Sequence, residues 1–360
     1  MKIERIEARV EHIKPSRASD AYAGQESLTF LRCRVTTVDG LSGQGVTGRF
    51  LAAEVAHLLN GGVRAALSGA DPLDHEAVAV MLTRQFNPRA STGAFVSALS
   101  ALDLALWDIK GKALGLPVST LAGGHRTSVP TYASGALMRH FTLEQCVTAS
   151  RSLVEQGWRQ MKTQLALPGT TTPSLEEARI RLIREAIGAD VDLMCDINQR
   201  WDVRQAISIG QRVEQYGLYW LEDVVAHDDY PGMAEVARTL NTPLAAGEYV
   251  YGSVPFRHML EARSVDIVMI DVLRAGGITT WLKIAGMAQA FNLPVVSHLL
   301  PEAHVHLVSA IPNGLTVEYM PWSCPLFREV PTMKDGMLAV PQKVGLGLEF
   351  DDDVLARCAG

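Results

Sequence analysis

Three acidic residues recur at an even interval: Asp196, Glu222 and Glu248 stand 26 residues apart. Each closes a short apolar run, Asp192-Leu-Met-Cys-Asp196, Leu218-Tyr-Trp-Leu-Glu222 and Pro243-Leu-Ala-Ala-Gly-Glu248. A charge at the end of a buried strand must be paired or bound to a metal. The interval is that of one strand-plus-helix unit, so the spacing predicts three neighbouring strands aiming oxygens at one point. Hard oxygen donors of this kind suit Mg²⁺.

Other apolar runs end in the same way. Lys162-Thr163-Gln164 closes one, Asp271 another, His298 a third and Glu318 a fourth, while Asn198 and Asp223 follow two of the acids. Singly, each has a plain reading: a helix cap, a surface salt bridge, a solvated lysine or a structural histidine. Together, in register on successive strands, they read as one site. His304 and His306 are two residues apart in a helical stretch and point to different faces, so they read as structural. His140, His227 and His258 read the same way. Asp103 and Asp108, inside a long helical pattern, read as packing and salt-bridge residues.

The elements that must position these groups follow from periodicity. Short apolar runs alternate with helical stretches at Val129–Ser134, Gln160–Ala166, Asp192–Asn198, Leu218–Glu222, Pro243–Gly247, Asp266–Asp271, Pro294–His298 and Leu315–Tyr319. Eight such runs predict a barrel with its site at the carboxyl ends of the strands. An open doubly wound sheet would want a glycine-rich phosphate turn, and no convincing GxGxxG is present. Within the helices between strands, Ser174 is placed as an N-cap with Glu177 completing a capping box. Before the barrel, residues 1–12, 27–37 and 45–47 alternate like a small antiparallel meander, with a polar loop over Pro15–Gln25. The helix Gly93–Leu114 stops at Gly115, with Pro117 just beyond. Leu121-Ala-Gly-Gly124 marks a boundary. The segment 321–360 has no further strand–helix rhythm and is expected to return to the N-terminal part.

The 360 residues are 48% hydrophobic and 20% charged, with a net charge of −6. Nothing there calls for nucleic acid. Five scattered cysteines without a CxxC pair fit reduced thiols in the cytoplasm and no zinc knuckle. The N-terminus lacks the apolar core of a signal peptide, and no run of about 18 apolar residues predicts a membrane span.

With these residues on view, the chain resembles the enolase superfamily, and within it the mandelate racemase subgroup. Ser100-Ala-Leu-Asp-Leu-Ala-Leu-Trp-Asp-Ile-Lys-Gly-Lys-Ala-Leu-Gly-Leu-Pro-Val118 is similar to the capping-domain signature of that family. Cys195-Asp-Ile-Asn198, Trp220-Leu-Glu-Asp223 and Ala246-Gly-Glu248 resemble its metal-ligand motifs, Asp271 with Ser297-His298 its Asp–His dyad, and Val317-Glu318 its last-strand acid. The resemblance implies an α/β protein, a modified TIM barrel (β/α)₇β with an α+β capping domain. The domains would be 1–125 for the N-terminal cap, 126–320 for the barrel and 321–360 for the returning segment. It implies Mg²⁺ on Asp196, Glu222 and Glu248, and removal of the proton α to a carboxylate, giving an enediolate. Lys162 and a protonated Glu318 would stabilise the new charge. His298 would be the base, oriented by Asp271. Asn198 would bind a substrate hydroxyl or support the metal.

Two departures matter. The subgroup pattern Lys-x-Lys reads Lys162-Thr163-Gln164 here, and a glutamine amide cannot accept a proton at neutral pH. Two-base racemisation therefore loses one base. One base on one face fits syn dehydration of a sugar acid, with Gln164 binding substrate hydroxyls. A sugar-acid cycloisomerase uses the same machinery and stands as the alternative, ahead of a racemase or epimerase. Asp223-Val224 stands where the family usually has Glu-Pro, a shorter carboxylate beside the metal site. Arg17, Tyr22, Arg49 and Phe50, on capping loops, are the candidate specificity residues. A barrel kept only for binding is disfavoured by the intact set of reactive groups. The expected partner is a small sugar acid, with neither nucleic acid nor membrane, and the family habit is a homo-oligomer.

Overall fold

The structure is a computed structural model that describes residues 1–13, 28–48, 50–86, 92–169 and 172–358. Arg17, Tyr22 and Arg49 lie outside the described residues.

Strands β1 (Ile3–Ile13), β2 (Leu28–Thr37) and β3 (Ser42–Thr47) form an antiparallel meander. Its inner face, with Leu31, Cys33 and Val35 buried, packs on the helices Ala52–Leu58, His75–Phe86 and Gly93–Leu114. Contact with the last of these is very close. A Cβ on Gly43 or Gly45 would lie 2.0 or 1.9 Å from the carbonyl oxygens of Ala105 and Ala101. Only glycine lets strand and helix backbones approach that far.

The barrel strands follow: β4 (Ser128–Leu137), β5 (Gln160–Gln164), β6 (Asp192–Asp196), β7 (Leu218–Glu222), β8 (Leu244–Ala246), β9 (Ile267–Ile270), β10 (Val295–Ser297) and β11 (Val317–Tyr319). Neighbours pair in parallel from β4 to β10, and β11 pairs back onto β4. The last gap is bridged where the Leu315 N–H donates to the Val295 carbonyl at 2.8 Å. Helices connect successive strands from β4 to β11. Among the described residues β11 is followed by a short 3₁₀ turn, a two-stranded hairpin and the helix Asp352–Cys358 but by no further barrel strand, which gives the (β/α)₇β arrangement. All eight strands coincide with the expected apolar runs.

Side chains alternate inside and outside along these strands. Tyr132, Met194, Trp220, Ala245, Met269 and Val296 fill the interior as a separate apolar cluster. Tyr132 meets Trp220 edge-on, with ring centres 5.4 Å apart. The cluster makes a dry floor beneath the strand ends. Register then levels the acids: Gln164 pairs with Asp196, and Asp196 with Glu222.

Two details differ from expectation. The helix Pro173–Ile187 is capped by Thr172, whose Oγ1 accepts from Leu175 N at 3.3 Å, and not by Ser174. Pro173 takes the first helical position, where its fixed φ suits a helix start and its missing N–H costs nothing, so the cap moves upstream. The described residues of the returning segment, 321–358, divide their contacts. The hairpin of β12 (Met333–Lys334) and β13 (Met337–Ala339) pairs with β4. Beyond it, Gly345 bonds to Leu116 and Val118, and Asp352 pairs with Arg32 of the meander at 2.5 Å.

Asp108 joins these parts. One oxygen accepts from Leu346 N at 2.9 Å; the other accepts from Gln44 N at 2.9 Å and Lys112 Nζ at 2.7 Å. Asp103 does similar work toward the barrel, accepting from Thr279 N and Oγ1 at 2.9 and 2.7 Å. Asp108→Asn would set an amide donor against two donors or leave Leu346 N unmet. We expect it to cost about 2 kcal/mol, read as a lower urea midpoint; an unchanged midpoint would show that Asp108 does not tie these segments.

Candidate active site

The chain turns sharply just after three of the strand-end groups. Asn198 and Gln199 after β6, Asp223 after β7, and Leu299 and Leu300 after His298 all have positive φ. Asn and Asp tolerate this region; the two leucines are strained in it. Before Glu248, Gly247 has φ +135° and a Cβ there would lie 2.3 Å from the Met269 carbonyl. The turns end the strands and leave the side chains aimed across the mouth.

There the groups meet. Lys162 Nζ, above the floor, lies 2.6 Å from Glu222 Oε1 and 2.8 Å from Glu318 Oε1. Trp220 Nε1 donates to Glu222 Oε2 at 3.0 Å. His298 Nδ1 faces Asp271 Oδ2 at 2.8 Å, and its Nε2 faces Glu248 Oε2 at 3.1 Å. Behind the dyad, His304 is buried, accepting from Val272 N at Nε2 and bonding Leu299 O through Nδ1. It supports both loops, as a structural histidine would. Burial pushes the neighbouring His306 down to about 4.

Among the described residues, the acids whose oxygens all lie within 4.8 Å of one another are Asp196, Glu222 and Asp223. Of these, Asp196 lines the cavity at the mouth; Glu248 lines it too, but its carboxylate turns to His298. Asn198 holds Asp196 through its backbone N–H and its Nδ2, each at 2.7 Å. Gln164 Nε2 donates to Asp196 Oδ2 at 3.3 Å and Asn198 Oδ1 at 3.1 Å, while its Oε1 accepts from Arg139 N at 3.3 Å. The Arg139 guanidinium also donates to Asn198 Oδ1.

Electrostatics follow from the crowding. Burial raises the carboxyls of Asp196, Glu222 and Asp223 above their usual range. Repulsion by Glu248 adds to it in all three, with Asp196 adding to Glu222, and Asp196 and Glu222 both adding to Asp223; Lys162 offsets only part for the first two. Burial also opposes the charge on Lys162, but Glu222 and Glu318 outweigh it and keep the ammonium. For Glu318, burial is overcome by Lys162, His298 and the Leu299 N–H, which bring the carboxyl down to about 2. The sequence reading gave Glu318 a proton; in this arrangement Lys162 at 2.8 Å and the Leu299 N–H favour its ionised form. Burial disfavours the His298 imidazolium, yet Glu248 and Asp271 raise its pKa, and the same bond lowers that of Asp271 against burial.

A cavity of about 530 Å³ opens above these groups. Its walls come from both parts of the chain: Phe30, Thr47 and Phe50 from the cap, and Tyr249, Arg274 and Met320 from the barrel. Phe50, one expected specificity residue, thus does face the site. His140, expected to be structural, lines the cavity as well. Sequence reasoning passed over Arg139 because it ended the first strand at Ser134; β4 runs on to Leu137, which carries Arg139 to the mouth. Arg274, ion-paired with Asp271 at 3.6 Å, was passed over too, although it follows that acid by three residues.

A closed parallel barrel with acids, a lysine and an Asp–His pair at its carboxyl mouth, roofed by an α+β cap, has the architecture of a barrel enzyme. The chain belongs to the enolase superfamily, in the mandelate racemase and muconate lactonizing enzyme family. Residues 3–123 match the mandelate racemase / muconate lactonizing enzyme N-terminal domain, and residues 145–354 the enolase C-terminal domain-like family. It is 32% identical over 286 residues to the L-talarate/galactarate dehydratase of Salmonella typhimurium, covering 79% of this chain and 71% of that one. It is 29% identical to the 3,6-anhydro-alpha-L-galactonate cycloisomerase of Streptomyces coelicolor, over 99% of both chains. The crystal structure of an L-talarate dehydratase from Polaromonas sp. complexed with Mg and L-glucarate superposes with a TM-score of 0.89 at 30% identity, over 99% and 96% of the two chains.

Histidine NMR of the protein stripped of divalent cations should show His298 titrating above the ordinary range. Asp271→Asn should lower that midpoint by about one unit or more. Linked stability carries the same sign: the contribution of His298 is complete below the ordinary value and is lost as pH rises through the raised one. A midpoint unmoved by the substitution would rule out Asp271 as a cause.

Proposed function

We propose that the chain is a Mg²⁺-dependent enzyme that removes the α-proton of a sugar acid and eliminates its β-hydroxyl from the same face. The supporting observation is the asymmetry of the mouth. His298 with Asp271 is a proton-transfer pair; Gln164, across the site, is an amide tied to Asp196, Asn198 and Arg139.

Asp196, Glu222 and Glu248 are the residues proposed to hold Mg²⁺. The donor set fits: all are buried carboxylates, and the nearby Asp223 oxygens have no hydrogen-bond partner among the described residues. An uncompensated cluster of this kind calls for a cation. When bound, Mg²⁺ supplies positive charge where the substrate carboxylate gains its second negative charge.

The protein's own groups do the rest. Lys162, fixed by Glu222 and Glu318, presents an ammonium to the same developing charge. His298, neutral at Nε2 once Glu248 is engaged elsewhere, takes the α-proton, and the C–H electron pair forms the enediolate. Asp271 holds Nδ1–H and stabilises the imidazolium. Collapse of the enediolate re-forms the carboxylate and expels the β-oxygen, which takes the proton from His298 and leaves as water. The remaining enol ketonises to a 2-keto-3-deoxy acid. Asn198, Gln164 and Phe50 are proposed to contact the substrate, with Arg17, Tyr22 and Arg49 on the capping loops. Ring opening of an anhydro- or lactone-type sugar acid is the second reading, favoured by the end-to-end match to a cycloisomerase.

The proposal extends to a cap over 1–125, a barrel over 126–320 and a returning segment over 321–360. Cytoplasmic residence and a homo-oligomer are included on the family resemblance. Among the described residues no helix is long and apolar enough to cross a membrane.

Aldonic and aldaric acids incubated with protein and Mg²⁺ should yield a semicarbazide-reactive 2-keto product. His298→Asn should lower kcat by about 10²–10⁴. Deuterium wash-in with inversion and no keto acid, followed by NMR in D₂O, would overturn the single-base reading.

Thermal unfolding tests the cation site separately. Raised carboxyl pKa values mean that the cation-free fold binds protons more tightly than the unfolded chain, so its stability falls as pH rises through those values. Mg²⁺ binds the ionised form, and its increment in Tm should grow from pH 5 to pH 8. A pH-independent increment would contradict binding at these acids.

A further inference from the structure

We infer that Asp223 is a fourth carboxylate donor to the cation, a role that the three-acid reading of the site does not give it. The inference rests on the proposed Mg²⁺ site and extends it.

Asp223 is 1% exposed, and among the described residues neither of its oxygens has a hydrogen-bond partner. The other acids at the mouth are differently placed. Asp196 takes the Asn198 N–H, Glu222 the Trp220 indole and Lys162, and Glu318 the Leu299 N–H. Asp271 takes the Leu273 N–H and His298, and Glu248 faces His298. A buried carboxylate with no donor at all is costly to maintain.

Its position supplies the remedy. An Asp223 oxygen lies within 4.8 Å of oxygens from both Asp196 and Glu222. Mg²⁺ holds its donors at about 2.0–2.1 Å, so opposite donors around it stand about 4.2 Å apart. One ion of that size can meet all three acids after small side-chain movements. The backbone aids this: Asp223 follows Glu222 directly and has φ +45°. That turn points the two successive side chains into one region instead of to opposite faces of the strand. Glu248, which faces His298 Nε2 at 3.1 Å, is the acid that must turn away from its present neighbour.

The test is calorimetric titration of MgCl₂ into the full chain after chelator treatment, with thermal unfolding alongside. Asp223→Asn should weaken Mg²⁺ binding tenfold or more, while its Tm in chelator equals or exceeds that of the parent protein, because a repelling charge is gone. Asp223→Glu, which keeps the carboxylate, should bind more tightly than Asp223→Asn. Asp196→Asn serves as the control for the proposed site itself. Parental affinity in Asp223→Asn, beside weak binding in Asp196→Asn, would overturn this inference and leave the proposed site standing. A parent protein that takes up no Mg²⁺ would overturn both. Should Asp223→Asn fail to fold, Asp223→Ser carries the same expectations, and a Tm lowered in chelator with unchanged affinity would reduce Asp223 to a structural role.

Discussion

The mouth of the barrel is organised around the repulsion of buried negative charge. Asp196, Glu222, Asp223, Glu248, Asp271 and Glu318 are all buried there. Two unit charges 4 Å apart interact by about 4 kcal/mol at the effective dielectric typical of protein sites. Three acids within 4.8 Å of one another therefore oppose folding by an amount comparable with the whole stability of a domain, unless protons or cations offset it. Lys162 offsets two acids at once, and His298 stands between two more. Arg139 lies near Asp196, and Arg274 pairs with Asp271. The Asp196–Glu222–Asp223 group keeps an excess of negative charge after these partners are counted.

A barrel can hold such a group because its strands cannot separate. The parallel register sets Gln164, Asp196 and Glu222 level, and the apolar floor of Tyr132, Met194 and Trp220 blocks retreat into the interior. The loops then bind the acids through their own backbone: Asn198 N to Asp196, Leu273 N to Asp271, Leu299 N to Glu318. Strained residues such as Leu300 are tolerated where they serve this geometry. Asp103 and Asp108, on the helix Gly93–Leu114, fasten the cap and the C-terminal segment to that frame. The roof over the cavity is thus as well anchored as its floor.

Much of this could be read from the chain because two regularities reinforce each other. Apolar runs mark the strands, and the 26-residue interval places an acid at or just beyond the carboxyl end of three of them. What could not be read depends on side-chain choice among several partners. Glu248 can face a cation or His298, and spacing does not decide between them. Glu318 was given a proton on the family resemblance, whereas pairing with Lys162 at 2.8 Å favours its ionised form. Arg139 was hidden by a strand that runs three residues further than its apolar pattern. Thr172 was hidden by Pro173, whose effect on the cap position is local and easily outvoted by the Ser–Glu spacing. These differences share a cause: periodicity fixes where a residue stands, and only packing fixes which neighbour it meets.

The same distinction governs the chemistry. Position 164 stands beside Asp196, where a basic side chain would be drawn into an ion pair or used as a second base. Glutamine removes both options, since its amide is neutral and both its ends are already committed. On the proposed reading the site then owns one mobile proton, held by His298, with Asp271 favouring the charged form. A proton returned to the α-carbon from the same face regenerates the substrate and accomplishes nothing. The productive use of that proton is on another atom of the same face, and the β-oxygen is the nearest group whose departure or ring opening it can drive. Dehydration and cycloisomerisation are therefore two outcomes of one constraint, separated by whether the β-oxygen is a hydroxyl or a ring atom of the bound acid.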